Sequence, residues 1–314
     1  MPPVEAARWF LAPREFLESP DAPVGRCSVP QAEAYTRWLA THHYENFHVV
    51  SFLLPKHLHQ DFYNVYSFCR WADDLGDEMG ETERSLQLLS WWRGELEAMY
   101  CNGRVEHPVY VALQGTAVRH NLPITPFADL ITAFEQDQTV TRYANWEELF
   151  HYCKYSANPV GRLVLYLCGY SDEQRQLLSD ATCTALQLAN FWQDVIVDLE
   201  KDRVYLPLDL LARHGYTVEQ LARREFTPGF RSAMEEAVEE ARRLFHQGWP
   251  LARKVDRRLS VDLELFTRGG LKILDKIGQQ GFDVLARRPS ITKLERVRLM
   301  FEALIDVAFS SRVA

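Results

Sequence analysis

Two short stretches hold most of this chain's capacity for chemistry. The first to consider reads QLANFWQDVIVDLEKDRVY, from Gln187 to Tyr205. Within it Asp194 and Asp198 are four residues apart, Asn190 is four before Asp194, and Gln187 is three before Asn190. On a helix these four make one polar stripe, with its two carboxylates a single turn apart. Leu188, Ala189, Phe191, Trp192, Val195, Ile196, Val197 and Leu199 between them are apolar. A helix apolar on most sides is a buried helix, and a buried stripe of oxygens is costly unless something satisfies it. Divalent cations would do so. Mg²⁺ takes one or two carboxylates and completes its shell with water and substrate phosphates.

The second stretch, YNVYSFCRWADDLGDE, ends in four acids. Asp73 and Asp77 are four apart, as are Asp74 and Glu78. Acids so close on one helix repel one another, and at a helix C-terminus they oppose the macrodipole. A solvated last turn would tolerate them, but the aromatic and apolar run ahead of them reads as buried. A metal site gains from the arrangement where a purely structural role does not. Arg70 lies three before Asp73 and four before Asp74. It can hold a carboxylate rotamer, or meet a diphosphate oxygen with its planar fork, and one role does not exclude the other. Tyr66, a turn earlier, reads either as a core aromatic or as a pocket residue.

The elements that must carry these residues are helices. From Gln31 onward the apolar period is helical, and alternating strand-like runs are scarce. The spacing predicts helices over 31–42, 46–53, 57–79, 82–101, 107–120, 125–137, 146–168, 172–200, 217–223, 228–253, 258–281 and 292–311. Gly and Pro breakers fall between them. A short helix is expected around Glu5–Phe16. Ser171 with Gln174 matches a capping box, and Thr82 reads as an N-cap. Repeats, low-complexity tracts and linkers are absent from the sequence. The expectation is a single all-α domain over 1–314, with residues 1–30 partly irregular.

Composition is consistent with that reading. Hydrophobic residues make up 47% and charged ones 25% of 314 residues, normal for a globular chain with a large core. The net charge of −8 carries no basic block, which argues against a nucleic-acid partner. The six cysteines are scattered without metal-ligand spacing, which suits a reducing compartment. The N-terminus lacks the pattern of a signal peptide, and no run is long and apolar enough to span a membrane. The chain therefore reads as cytoplasmic.

Two carboxylate pairs separated by about 120 residues suggest an acidic mouth over an apolar cavity, should their helices face one another. The chemistry that needs this is ionisation of a prenyl diphosphate. Diphosphate leaves only when its charge is neutralised, and the carbocation left behind must be kept from water by apolar and aromatic walls. Phe62, Tyr63, Tyr66, Phe68, Trp71, Phe191 and Trp192 are the aromatics nearest the motifs. A metal-dependent diphosphohydrolase is the rival reading, and a scaffold without activity a third.

RWADDLGDE and QLANFWQDVIVDLEKDRVYLP resemble the two signatures of the squalene/phytoene synthase family. HYCKYSANPVGRLVLYLCG and HYENFHVVSFLLP resemble its central helix and its N-terminal substrate segment. The resemblance covers most of the chain and implies an all-helical class I isoprenoid synthase bundle with a central apolar cavity. It implies metal ligands at Asp73, Asp77, Asn190, Asp194 and Asp198, holding two or three Mg²⁺ ions with the substrate diphosphate. It implies diphosphate contacts from Arg70 and Arg203, with His43 and Asn46 where some relatives carry a lysine, and pocket roles for Tyr66, Tyr152 and Gln187. Gln193 stands where relatives often have arginine. The ENFxVxSxLLP and SANPVGRL patterns are similar to the subgroup that ionises presqualene diphosphate, rearranges the cyclopropylcarbinyl cation and lets water capture it in hopanoid biosynthesis. That subgroup has pathway neighbours that make presqualene diphosphate and reduce hydroxysqualene. Sister enzymes condense two farnesyl diphosphates to presqualene diphosphate, squalene or dehydrosqualene, or make phytoene.

A reaction ended by water needs a polar group to place it, and Asn158, Glu45 and Asn46 are the candidates; Asn158 before Pro159 also reads as a residue satisfying a helix break. No NADPH is expected. Arg268 and Lys272 read as a solvated face or as further diphosphate contacts, and Arg287-Arg288 as plain surface or a contact to anionic lipid. A large apolar product implies peripheral association with a membrane surface.

Overall fold

Helix follows helix along the whole described chain, and the reason is the 3.6-residue spacing of its apolar positions. The computed structural model describes residues 10–19, 27–42 and 55–309. In order the α-helices are α1 Pro13–Glu18, α2 Val29–His42, α3 His59–Asp77, α4 Thr82–Tyr100, α5 Pro108–His120, α6 Thr125–Gln136, α7 Trp146–Ser156, α8 Asn158–Leu167, α9 Glu173–Gln193, α10 Val195–Glu200, α11 Leu208–Arg213, α12 Val218–Ala222, α13 Pro228–Gly248, α14 Arg257–Gln279 and α15 Lys293–Phe309. Short 3₁₀ turns, Lys56–Leu58 and Trp249–Arg253, lead into α3 and follow α13. Among the described residues strand pairing is confined to one parallel bridge, Arg142 to Val204. The expected helix over 46–53 lies outside the described residues.

The differences from expectation have local causes. The helix expected over 146–168 breaks at Ala157, because Pro159 has no N–H to continue the ladder. The helix expected over 172–200 breaks at Asp194, whose φ of −107° and ψ of 16° leave the helical region. The N-cap of α9 is Asp172, accepting from Arg175 N at 3.1 Å, and not Ser171. At α4 the N-cap is Glu81, with Thr82 already helical. Helix α11 follows Pro207 in a stretch where no helix is expected from the spacing.

Contacts divide the chain into two compact units. The first comprises residues up to Thr139 together with Arg162–Ser171; the second comprises Val140–Gly161 and everything from Asp172. In the first unit α3 is central and packs against α1, α2, α4, α5 and α6. Its apolar face carries Phe68 and Trp71 into a closed aromatic core. Trp71 stacks on Trp92 with centroids 5.3 Å apart, and Phe68 meets Phe127 edge-on at 4.9 Å. Its polar face is tied as firmly. Asn64 Oδ1 accepts from Thr36 at 2.6 Å and from Gln60 at 2.9 Å, while Nδ2 donates to Ala112 O at 3.2 Å and Thr116 Oγ1 at 3.0 Å. All the bonding capacity of this buried amide is used, so α2 and α5 are fixed on α3.

In the second unit α9 is central, with α13 and α14 along its length. Close approach is possible where Gly248 ends α13. A Cβ there would sit 2.1 Å from Thr182 Oγ1 and 2.8 Å from Leu178 O. Gly161 on α8 is under the same constraint, with Ser179 Oγ 2.3 Å from its would-be Cβ. Ion pairs join α14 to α15: Arg268, which also pairs with Glu264 of its own helix at 3.1 Å, reaches Asp306, and Lys272 and Lys276 reach Glu295 at 3.6 and 3.0 Å. The Arg268 and Lys272 side chains are thus engaged with acids of their own unit.

One buried group gives a test of the first core. His107 caps α5, its Nδ1 accepting from Val109 N at 3.3 Å. Its Nε2 is buried without a polar partner, among the rings of Trp71 and Trp92 at 4.3 and 4.9 Å. Burial pushes its pKa down from 6.5 to about 3. Below 6.5 the unfolded imidazole takes a proton that the folded one refuses until about 3. The unfolded state binds more protons in that window, so stability falls as pH drops through it, by up to ~1.4 kcal/mol per pH unit. His107→Gln is therefore less stable than the parent near neutrality, and the gap in urea midpoint narrows between about pH 6.5 and 4. A gap that stays constant with pH would refute the assignment.

Candidate active site

The first acidic motif is the last turn of α3. Helix packing buries Asp74 and half-buries Asp73, while Asp77 is exposed. The last turn is thus more solvated than its aromatic leader suggests, because α3 emerges from its core at Gly76. Its final carbonyls are satisfied from outside the helix: Gly76 O accepts from Ser85 Oγ at 3.3 Å and from Gln138 Nε2 at 3.0 Å. Arg70 spans the acids, reaching Asp73 at 3.3 Å, Asp74 at 2.6 Å and Glu78 at 3.2 Å. Even so, burial pushes the Asp74 carboxyl up to about 7 against the pull of Arg70, with Glu78 and Asp73 adding to the rise. Tyr66 is half-buried, and its phenol is raised chiefly by burial.

The second motif straddles the break between α9 and α10. Hydrogen bonds cross the break, from Asp194 N to Asn190 O and from Asp198 N to Asp194 O, each 2.9 Å. The one-turn spacing of the three side chains therefore survives the irregular residue. Packing on α13 and α14 takes Leu188, Ala189, Phe191 and Trp192 inward, which leaves Asn190 exposed and Gln187, Asp194 and Asp198 half-buried. The stripe is a boundary feature of its helix and not a buried one. Asp198 is pushed up to about 7, first by burial and then by the Asp194 carboxylate, against Arg203, Lys201 and Arg288.

The DRVYLP tail is held by residues that carry no motif of their own. Asp202 adopts φ +56° and is clamped by Arg142, which donates to its carbonyl and its carboxylate. Arg203 N then bonds back to Asp198 O at 2.8 Å, and Val204 N to Thr141 O at 2.9 Å. This turn puts Arg203 in a small cleft with Asp198, Val195 and Phe191. Tyr205 stacks on Phe191 with centroids 3.6 Å apart, and Tyr152 and Tyr143 lie 6.0 and 5.8 Å from Tyr205. So Tyr152 and Phe191 join an aromatic cluster beside the second motif. Phe68, Trp71 and Trp192 instead serve closed packing; Trp192 donates to Ala237 O at 3.0 Å.

Asn158 starts α8, and its Oδ1 accepts from Thr184 Oγ1 of α9 at 2.9 Å. His43, Glu45 and Asn46 lie outside the described residues. Arg142, Tyr143, Tyr205 and Arg288 carry interactions at the second motif that motif reading overlooks. The β-branched run around Thr141 hinted at the first two; Arg288, 94 residues from Asp194, has no local signal.

The donor set suits a hard divalent cation. Carboxylate and carboxamide oxygens stand one turn apart, and burial, with neighbouring acids adding to it, raises two of the acids to about 7. Among the described residues no three His, Cys, Asp or Glu side chains converge into a self-sufficient metal cage. Water and phosphate oxygens would have to complete the shell.

Residues 40–295 match the model of the family described as squalene/phytoene synthase. The hydroxysqualene synthase of Rhodopseudomonas palustris is 35% identical over 268 residues, covering 84% of this chain and 89% of that protein. The phytoene synthase of Thermus thermophilus is 34% identical over 287 residues, covering 90% and 96%. The crystal structure of squalene synthase HpnC from Alicyclobacillus acidocaldarius superposes with TM-score 0.77 at 42% identity, covering 81% of this chain and 95% of that one. A dehydrosqualene synthase structure superposes with TM-score 0.79 at 21% identity, covering 89% and 98%. The helical fold is that of the isoprenoid synthases.

A cation that binds ionised Asp198 competes with its proton. Mn²⁺ binding to the pure protein should tighten between about pH 6 and pH 7.5 and level off above, with Asp198→Asn removing the pH dependence. Calorimetry in two buffers reads both; an affinity flat in pH for the parent protein contradicts the expectation.

Proposed function

This chain belongs to the squalene/phytoene synthase family, whose members act on prenyl diphosphates, and we propose that it converts presqualene diphosphate to hydroxysqualene. The observation that carries the reading is the second motif: carboxylates one turn apart, with the Arg203 guanidinium in the same cleft as Asp198. Similarity to proteins named hydroxysqualene synthase, together with the SANPVGRL segment, supports the choice of reaction.

Asp73 and Asp77 of the first motif and Asn190, Asp194 and Asp198 of the second would hold Mg²⁺, which would supply the charge neutralisation that a leaving diphosphate needs. Arg70 and Arg203 donate to diphosphate oxygens, as do His43 and Asn46. The C–O bond to diphosphate breaks, and the electron pair leaves with the anion. Tyr66, Tyr152 and Gln187 would serve as pocket residues, their role being to shield the rearranging cation with aromatic and neutral polar faces. Asn158 fixes the water. Its oxygen forms the new C–O bond, and its second proton passes to the departing diphosphate or to solvent. Water closes the reaction, so no reductant enters and NADPH is not required. The substrate comes from an enzyme that joins two farnesyl diphosphates, and the product goes to one that reduces the alcohol.

A greasy substrate suggests a site at the membrane face of the cytoplasm. Among the described residues no helix is long and apolar enough to cross a membrane. Helix α15, however, leaves Leu294, Val297, Phe301 and Ile305 exposed on one stripe, with Leu294 at 80% and Phe301 at 61%. Lys293 and Arg296 in its first turns add positive charge. This is the pattern of a helix that lies in a lipid interface.

Two measurements test these readings. Incubation with Mg²⁺ and presqualene diphosphate in ¹⁸O-labelled water should give labelled hydroxysqualene without NADPH, and Asp194→Asn should lower the rate by on the order of 10²-fold or more. Squalene formed only with NADPH, or a forty-carbon product from geranylgeranyl diphosphate, would assign the chain to a sister reaction. In sedimentation with vesicles containing anionic lipid, the parent protein should pellet and a Phe301→Asp, Ile305→Asp variant should stay in solution. Failure of the parent to pellet at low salt removes the membrane proposal.

A further inference from the structure

Asp194 already has a cation, supplied by the chain itself. Arg288 lies in the segment between α14 and α15, 94 residues further on. Its guanidinium forks onto the carboxylate: Nε donates to Oδ1, and the second nitrogen donates to Oδ2 at 3.0 Å. Both oxygens of the carboxylate are engaged in the geometry that suits this pair best.

The backbone holds this arginine in place on both sides. After it, Pro289 is buried and its carbonyl accepts from Gln193 Nε2 at 2.7 Å. Gln193 is the residue next to Asp194, so the tie and the ion pair anchor the same turn. Before it, Arg287 O accepts from Gln280 Nε2 at 3.1 Å, and the same amide donates to Asp283 O at 3.0 Å. Gln193 thereby gains a role of its own. Its amide pins the segment that brings Arg288 to the acid.

A guanidinium and a divalent cation cannot both sit in the plane of the same two oxygens at full strength. The geometry points to Arg288 as an exchangeable counter-ion that holds the Asp194 carboxylate oriented in the metal-free protein and must yield when a divalent cation binds. Arg288 is a positioning residue in this account, acting through Asp194. It keeps the acid in its metal-ready rotamer, and it lowers the intrinsic metal affinity. The side chain is 47% exposed, so it can swing into the open cleft of about 360 Å³ that it lines with Lys276 and Arg287. The inference rests on Asp194 being a metal ligand, as proposed above.

The test is Mn²⁺ binding to substrate-free protein, read by electron paramagnetic resonance, with thermal melting of the metal-free protein alongside. Arg288→Met should bind Mn²⁺ about three- to fivefold more tightly, the range set by a partly exposed ion pair. Its metal-free form should melt lower, and Mn²⁺ should restore more of the loss than in the parent. Arg288→Lys keeps the charge without the fork and should fall between the two, which preserves the test if the methionine variant does not fold. Equal or weaker Mn²⁺ binding by folded Arg288→Met or Arg288→Lys overturns the proposal. Asp194→Asn separates the two levels: if it loses turnover while the Arg288 variants leave Mn²⁺ affinity unchanged, the counter-ion role fails and the metal-ligand reading stands. If Asp194→Asn keeps full turnover and Mn²⁺ affinity, the metal-ligand reading fails, and this inference with it.

Discussion

A carboxylate that loses half its water resists ionising, and it resists more when another carboxylate stands a turn away. Both acidic motifs are built on that conflict. Asp74 and Asp198 are each pushed to about 7 by burial and by neighbouring acids. The chain offsets part of the cost with arginines. Arg70 spans three acids on its own helix, while Arg203 and Arg288 reach the second motif from segments that come later in the chain. The remaining deficit of positive charge leaves each motif a place where an added cation would be stabilised. A fully neutralised pair would be more stable and would have less to gain from metal.

Such sites need frames that do not relax away from the strain. In the first unit the Asn64 amide is saturated and the tryptophans of α3 and α4 are stacked, so α3 has little freedom to tilt its acids into water. In the second unit the frame is α9 clasped by α13, where only a hydrogen fits at Gly248. The break at Asp194 is a local release within that rigidity. It turns the backbone just where the side chain meets Arg288, while the flanking hydrogen bonds preserve the spacing to Asn190 and Asp198.

What the sequence made legible follows from the range of the interactions. Apolar period and turn residues located most helices, because both act within a few residues. Arg70 and its acids were readable for the same reason. The break at Pro159 is signalled by a missing N–H, but the helical period runs strongly on both sides of it. Helix α11 was too short for periodicity to show. The Arg142–Asp202 clamp, the stack of Tyr205 on Phe191 and the fork of Arg288 on Asp194 join residues that are 60, 14 and 94 positions apart or bring no motif with them. No local rule reports such pairs. The exposure of Asn190 was hidden for a different reason: a helix's apolar residues show that it is buried somewhere, but not which polar positions lie at the edge of the covered face.

The motifs also cannot by themselves decide the product. Relatives named hydroxysqualene synthase and phytoene synthase match this chain at 35% and 34% identity. Ionising a diphosphate is one requirement, and oxygens suited to a hard cation, with arginine partners, are the kind of groups it calls for. The fate of the cation is a separate requirement, met by whichever groups surround it once the diphosphate has left. Those groups need shape and aromatic faces, neither of which demands a charged residue at fixed spacing. Segments such as SANPVGRL carry that information diffusely. In this chain the Asn158 oxygen is tied to Thr184 at 2.9 Å, so the direction of its amide group is set by the packing of α8 on α9. The seating of one helix on another thus sets the direction of a group such as this amide independently of the carboxylates of the two motifs.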